Sequence, residues 1–275
     1  MTGKLYIDGV DIYLLYGIFV TQNGYNELIA YPPLKTVESN DWQEDDGIEV
    51  DLSAPALDTR ELTIRFAYHG NIGKFNSFIE LLSDGAYHDF NFADIGRIYR
   101  LRLVSQSNMS RTCDLHVLAL RFADDFPLSG YSYVAPLSSL VPLKSYKIDE
   151  KNLSEYGVRI LKGTDDEIAK SSEVKKNLLR NIKSENGVLY DGENVTFQTK
   201  DVKLNCLMMA GNLVEFWRNY NALLYDLVRP KERVLYANGK EYSCYYKSCN
   251  VVDFSPVGKI WFHFSLVLVF TNFRV

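Results

Sequence analysis

Thr59-Arg60-Glu61-Leu62-Thr63-Ile64 and Thr199-Lys200-Asp201-Val202-Lys203-Leu204 are two versions of one phrase. Each opens with threonine, a base and an acid. Each then places an apolar residue at every second position, the period of a strand with one face turned to a core. The first phrase continues to Phe66 and Tyr68, the second to Cys206 and Met208. About 140 residues separate them, and the same spacing recurs along the chain. Tyr16-Gly17-Ile18 falls on Tyr156-Gly157-Val158, with Ile7-Asp8 near Ile148-Asp149 before it, and Gly47–Asp51 falls on Gly187–Asp191. After one inserted residue, Asn71, Phe75 and Leu82 fall on Asn212, Phe216 and Leu223. Gly96 and Tyr99 fall on Gly239 and Tyr242, and Leu118, Leu120 and Phe122 on Leu266, Leu268 and Phe270. The shared order and nearly constant offset predict a tandem duplication.

Helical periodicity follows each phrase. Gly70 and Asn71 break the first strand. Ile72, Phe75, Phe78, Ile79 and Leu82 then recur at spacings of three and four, and Gly85 closes the helix. Leu213, Phe216, Trp217, Tyr220, Leu223 and Leu224 repeat the pattern, and Pro230 prevents continuation. Phe75, Leu82, Phe216 and Leu223 are thus the expected core of the repeat. Strands follow near 87–92, 99–104 and 115–122, and again near 234–236, 242–247 and 260–270. Asn238-Gly239 is the strongest hairpin signal. The stretch Ile260–Phe270 is apolar on both faces, which predicts cover on both. The expected fold is mainly β, with two tandem β-sandwich or partly open barrel domains and one packed helix in each. The first domain takes residues 1–126, a linker 127–145, and the second domain 146–275.

The linker lacks any charge from Pro127 to Leu143 and holds Pro127, Pro136, Pro142 and Gly130, which favour an extended connector. It also carries Tyr131, Tyr133, Val134, Leu137, Leu140 and Val141, too apolar for a free tether, so it is expected to lie against a domain surface.

Composition narrows the function. The chain has 275 residues, 47% hydrophobic and 24% charged, enough to bury sizeable cores without disulfides or metals. A net charge of −5 argues against binding a phosphate backbone. Lys175-Lys176 and the run Arg229–Arg233 are short and read as exposed faces. Asp8 and Asp11 interrupt what would have to be an apolar signal core, and no apolar stretch reaches the length of a spanning helix. Cys113, Cys206, Cys244 and Cys249 lack CxxC spacing and read as free, buried thiols of a reducing compartment, with Cys244 and Cys249 across a strand end.

Catalytic signatures are missing. There is no GxSxG, GxxxxGK[ST] or GxGxxG. His69, His88, His116 and His263 show no zinc-ligand spacing, and His263 reads as a packed strand histidine. Asp41, Glu44, Asp45 and Asp46 lack the spacing of a calcium loop and read as a solvated acidic loop. The expectation is a protein without enzymatic activity, cofactor or metal. Trp217 belongs to a helical stripe and Trp261 to a buried-looking strand. Trp42 alone reads as an exposed platform, the basis of an alternative reading as a carbohydrate- or protein-binding tandem β-sandwich module.

The pattern of each half resembles the N-terminal domain of phage distal tail proteins and, behind it, the tail-tube fold. The carriers are Tyr16-Gly17-Ile18, Thr59–Phe66, the Phe75–Leu82 helix, and Phe90-Asn91-Phe92 with Arg97–Leu103. Tyr156-Gly157-Val158, Thr199–Leu204 and Phe216–Leu224 repeat it more weakly. Distal tail proteins of siphophages usually carry one such domain followed by an unrelated one. Two tandem copies look more like a baseplate hub, in which three chains imitate six. The resemblance implies a ring-forming protein of a phage or prophage tail tip, made in the bacterial cytoplasm and housed in the virion tail. Its expected partners are itself, as a homotrimer or else a hexamer, and tube, tip or fibre proteins, with no membrane and no sequence-specific nucleic acid.

Overall fold

The computed structural model describes residues 2–21, 25–69, 72–106, 110–112, 115–175, 179–190 and 195–272. Gly70, Asn71, Cys113, Lys176 and Asp191, used in the sequence reading, lie outside the described residues. The first half contains β1 (Leu5–Ile7), β2 (Val10–Asp11), α1 (Ile12–Tyr16), β3 (Ile18–Val20), α2 (Asn26–Ile29), β4 (Ser39–Asn40), β5 (Glu49–Val50) and β6 (Arg60–Tyr68). It continues with α3 (Ile72–Leu82), β7 (His88–Phe92), β8 (Arg97–Gln106), β9 (Ser110–Thr112) and β10 (Leu115–Asp124). The second half contains β11 (Tyr146–Ile148), β12 (Lys151–Asn152), a 3-10 turn (Leu153–Tyr156), β13 (Val158–Ile160), α4 (Thr164–Ala169), β14 (Leu179–Arg180) and β15 (Leu189–Tyr190). Then come β16 (Lys200–Ala210), α5 (Leu213–Leu227), β17 (Arg233–Ala237), β18 (Lys240–Ser255) and β19 (Ile260–Asn272).

The protein is mainly β. Its two large sheets run β2-β1-β7-β8-β10-β6-β3 and β12-β11-β17-β18-β19-β16-β13, the same order element for element, with β9 added on β10 in the first. Every pairing in them is antiparallel. The strands at the two rims of each sheet are neighbours in sequence. β2 and β3 are joined by the five residues of α1, a length of only about 8 Å at helical rise. The rims must therefore approach each other, and each sheet curls into a half-barrel.

The glycine in Tyr-Gly-Ile/Val has a specific cause. Gly17 and Gly157 cap α1 and the 3-10 turn with φ of +73° and +74°. A Cβ there would lie 2.5 Å from the His69 carbonyl oxygen or 2.6 Å from that of Met209. The base of the Thr-basic-acidic phrase is equally constrained. Arg60 Nη1 donates to the carbonyls of Leu28 (2.9 Å) and Ala30 (2.6 Å) at the end of α2. Lys200 Nζ donates to those of Ile168 (2.6 Å) and Lys170 at the end of α4. A buried cation thus satisfies the orphan carbonyls of a short helix in each half. Burial pushes the Lys200 ammonium down to about 8.

Phe75, Leu82, Phe216 and Leu223 are all buried, within a hydrophobic cluster that runs through both halves. α3 buries only Phe75, Phe78 and Leu82. α5 is longer than the stripe predicted and is buried on most of its circumference.

Three strand readings need correction. β19 is covered on both faces only from Ser265 onward, because Trp261 is 47% exposed on the outward side and His263 is half-buried. Cys244 and Cys249 lie inside one strand, the 16-residue β18. The last strands also align differently. Leu120 faces Ile64, and Leu266 faces the equivalent Leu204, so Leu120 and Phe122 correspond to Leu266 and Leu268. A bulge marks the same place in both halves, skipping Val104 on β8 and Lys247 on β18.

Candidate functional site: the contact between the halves

α5 lies between the halves because its two long sides are both apolar. Phe216 turns inward, with ring centroids 5.4 Å from Phe254 and 5.8 Å from Phe262. Trp217 turns to the first half, where its indole N–H donates to the Ile95 carbonyl at 2.6 Å and Arg97 covers its ring at 4.4 Å. Arg97 also donates to Asn221 Oδ1 at 3.0 Å. Trp217 therefore serves an interface rather than the core of one domain.

From the first half, the chain leaving α2 enters the second. The Tyr31 ring packs on Tyr220 at 4.2 Å, tilted by 34°, and its hydroxyl donates to the Tyr220 backbone carbonyl at 3.1 Å. The Tyr246 hydroxyl donates to the Pro32 carbonyl at 2.9 Å, and Leu34 N–H donates to the Lys247 carbonyl at 2.9 Å. Burial holds the Tyr31 and Tyr246 phenols well above their usual range, so both remain neutral donors.

The acidic loop after β4 is not simply solvated. Lys175 Nζ, 3% exposed, donates to the Trp42 carbonyl and pairs with Asp41, both at 2.6 Å. Thr196 Oγ1 donates to the Gln43 carbonyl at 2.8 Å, and Phe197 N–H to Asp46 Oδ1 at 3.0 Å. Gly47 N–H donates to the Phe197 carbonyl at 2.7 Å. Lys175 was expected on an exposed face and is buried by this docking. Trp42 is 51% exposed, with its indole N–H held by Glu49 at 3.1 Å.

The linker lies along the opposite side of α5. Asn219 exchanges hydrogen bonds with the backbone of Leu137 at 2.7 and 2.9 Å. The buried Asp226 accepts from Tyr156 at 2.6 Å, Lys151 at 2.7 Å and Tyr133 at 3.1 Å.

The basic run Arg229–Arg233 corrects in the same direction as Lys175. Arg233 is buried, and Arg229 and Arg233 bind Asp149 at 3.0 and 2.8 Å. In the first half the matching hairpin acid, Asp8, binds buried His88 at 2.6 Å, with Asp84 on the other ring nitrogen at 3.2 Å. Burial opposes the charge on His88, but the Asp8 hydrogen bond and charge, then Asp84, outweigh it and raise its pKa.

Among the described residues no group of three His, Cys, Asp or Glu side chains is arranged to hold a metal ion. Cys206, Cys244 and Cys249 are free and buried, and burial pushes the last two up to about 12, far from a nucleophilic thiolate. No helix among the described residues is long and apolar enough to cross a membrane.

The contact between the halves is heterologous: each side uses a different surface. The first half contributes the acidic loop, 30–34 and 95–97. The second contributes 175, 196–197, α5 and β18. Because the sheets share one strand order, each half also has, at the equivalent place in its topology, a position matching the surface that its partner uses. The positions that the contact shields are open in the second half, where Val174 (45%) and Val188 (53%) replace the half-buried Leu34 and Ile48.

No protein-family model matches the chain, and the search of curated proteins gave no match. Among solved structures the chain is similar to SPP1 Dit (gp 19.1), described as a paradigm of the hub adsorption apparatus in phages infecting Gram-positive bacteria. The identity is 12%, the match covers 97% of each chain, and the TM-score is 0.36. At that score the architecture rests on its own geometry.

Proposed function

We propose that the chain is a structural, ring-forming protein of a phage or prophage tail tip or baseplate. It assembles around the tail channel and joins the tube to receptor-binding parts, without catalysis or cofactor. The observation that carries this reading is the heterologous contact between two half-barrels of one topology. A heterologous contact leaves the equivalent position on each half uncovered, and repetition of such contacts between chains gives a ring when the rotation closes. Two halves per chain favour three chains, and six domains, around the axis. The tandem repeat, read as a duplication, and the resemblance of Tyr16-Gly17-Ile18 and Thr59–Phe66 to tail-tube domains support the tail setting. Cryo-electron microscopy of purified tails tests the proposal: three copies around the axis are expected, and this chain in an off-axis fibre overturns it.

A further inference from the structure

Resting on that reading, we propose that the β14–β15 hairpin of one copy docks on the first half of a second copy, against Lys35, Ala56 and Leu57. The chain contains the template for this contact. The loop Asp41–Gly47 sits on Lys175, Thr196 and Phe197 of its own second half. The 140-residue offset carries that loop to Asn181–Gly187 and that platform to Lys35, Ala56 and Leu57.

Both pieces keep their shape under the offset. In the platform, Lys175 N–H donates to Thr196 O at 2.8 Å and Lys35 N–H to Ala56 O at 2.9 Å. Isolated bridges join Val174 to Phe197 and Leu34 to Leu57. In the loop, Asp45 N–H closes on Trp42 O at 3.3 Å and Glu185 N–H on Ile182 O at 3.0 Å. Burial differs in the sense that an unfilled contact requires. Lys175 and Thr196 are buried, whereas Lys35 and Ala56 are exposed. The second hairpin exposes Val188 (53%) and Leu189 (56%).

The chemistry changes from charge to amide. Asn181 stands where Asp41 pairs with Lys175, and offers its side-chain carbonyl to Lys35. Asn186 stands where Asp46 accepts from Phe197 N–H, and offers its carbonyl to Leu57 N–H. Neutral acceptors make weaker bonds than carboxylates, so the contact between chains is weaker than the one within the chain and less sensitive to salt.

Two single variants of the full chain, Lys35→Cys and Asn181→Cys, test the docking with a short bis-maleimide. A cross-linked dimer is expected when the two are mixed, and only a trace with either alone. Val188→Glu buries a charge in the contact and is expected to raise the concentration needed for assembly by about tenfold, with an unchanged melting temperature. Rings by mass photometry without the mixed cross-link overturn the hairpin contact and leave the ring reading standing. A chain that stays monomeric at about 0.1 mM, a concentration at which any contact with a Kd below that value is largely formed, and gives no cross-link overturns both.

Discussion

Phe216→Ala removes a ring that is fully buried and lies within 6 Å of four others: Trp217 (4.9 Å), Phe254 (5.4 Å), Tyr220 (5.8 Å) and Phe262 (5.8 Å). Its counterpart Phe75 keeps a sliver of exposure and meets one ring, Tyr68, at 5.5 Å. A buried Phe→Ala change costs about 3–5 kcal/mol, the larger values belonging to sites whose walls cannot collapse. Rigid aromatic neighbours on α5 itself and on β18 and β19 place Phe216 at ~5 kcal/mol, and the partly open site of α3 places Phe75 at ~3 kcal/mol. At roughly 2–4 °C per kcal/mol for a chain of this size, the melting temperature falls by roughly 10–20 °C and 6–12 °C respectively. Near- and far-ultraviolet circular dichroism should both report one transition, because the hydrophobic cluster runs through both halves. Two separate transitions, or a larger loss for Phe75→Ala, would refute the reasoning.

Three further outcomes are expected. His88 has a raised folded pKa, so its contribution is full below its unfolded value of about 6.5 and is lost as pH rises through the folded value. His88→Asn should flatten the fall in urea midpoint above pH 6.5, and an unchanged slope counts against the Asp8–His88 pair. Gly157→Ala should cost more than about 2 kcal/mol, since left-handed strain adds to a 2.6 Å approach to Met209 O. Gly85→Ala, with φ of +80° and open space, should cost only the strain of ~1–2 kcal/mol; equal losses would remove the argument from close approach. Tyr246→Phe deletes one buried bond to the Pro32 carbonyl and should cost about 1–2 kcal/mol by urea denaturation, with no change meaning that the halves are joined by packing alone.

Much of the fold was legible because period-2 and period-3.6 patterns are local properties. The β6 and β16 alternations, both helical stripes and the Asn238-Gly239 turn, with φ of +51° and +85°, could be read without knowing any partner. What failed depended on partners. Asp41 and Lys175, far apart in the chain, look solvated until the fold brings them together. Arg233 is buried because Asp149 waits in a hairpin far upstream. Trp261 looks like core because its neighbours are apolar, but alternation puts it on the uncovered face. The last-strand offset slipped by two because a shift of two residues leaves period-2 alternation unchanged, and only the pairing of Leu120 with Ile64 and Leu266 with Leu204 fixes it. The interface use of Trp217 left one trace in the sequence, a helix apolar around too much of its circumference for one sheet.

The position of β10 and β19 governs the order in which the molecule becomes complete. Each is the last strand of its half to be synthesised, yet each lies between two strands made earlier: β10 joins β8 to β6, and β19 joins β18 to β16. Until β10 leaves the ribosome the first half is two separate ribbons, β2-β1-β7-β8 and β6-β3, each with an open edge towards the gap. β18 of the later half presents the same kind of edge, so a nascent chain can seat the wrong strand in either gap. Slower translation through the linker, which lengthens the time for β10 to close its sheet before β11–β18 emerge, is therefore expected to raise the folded yield.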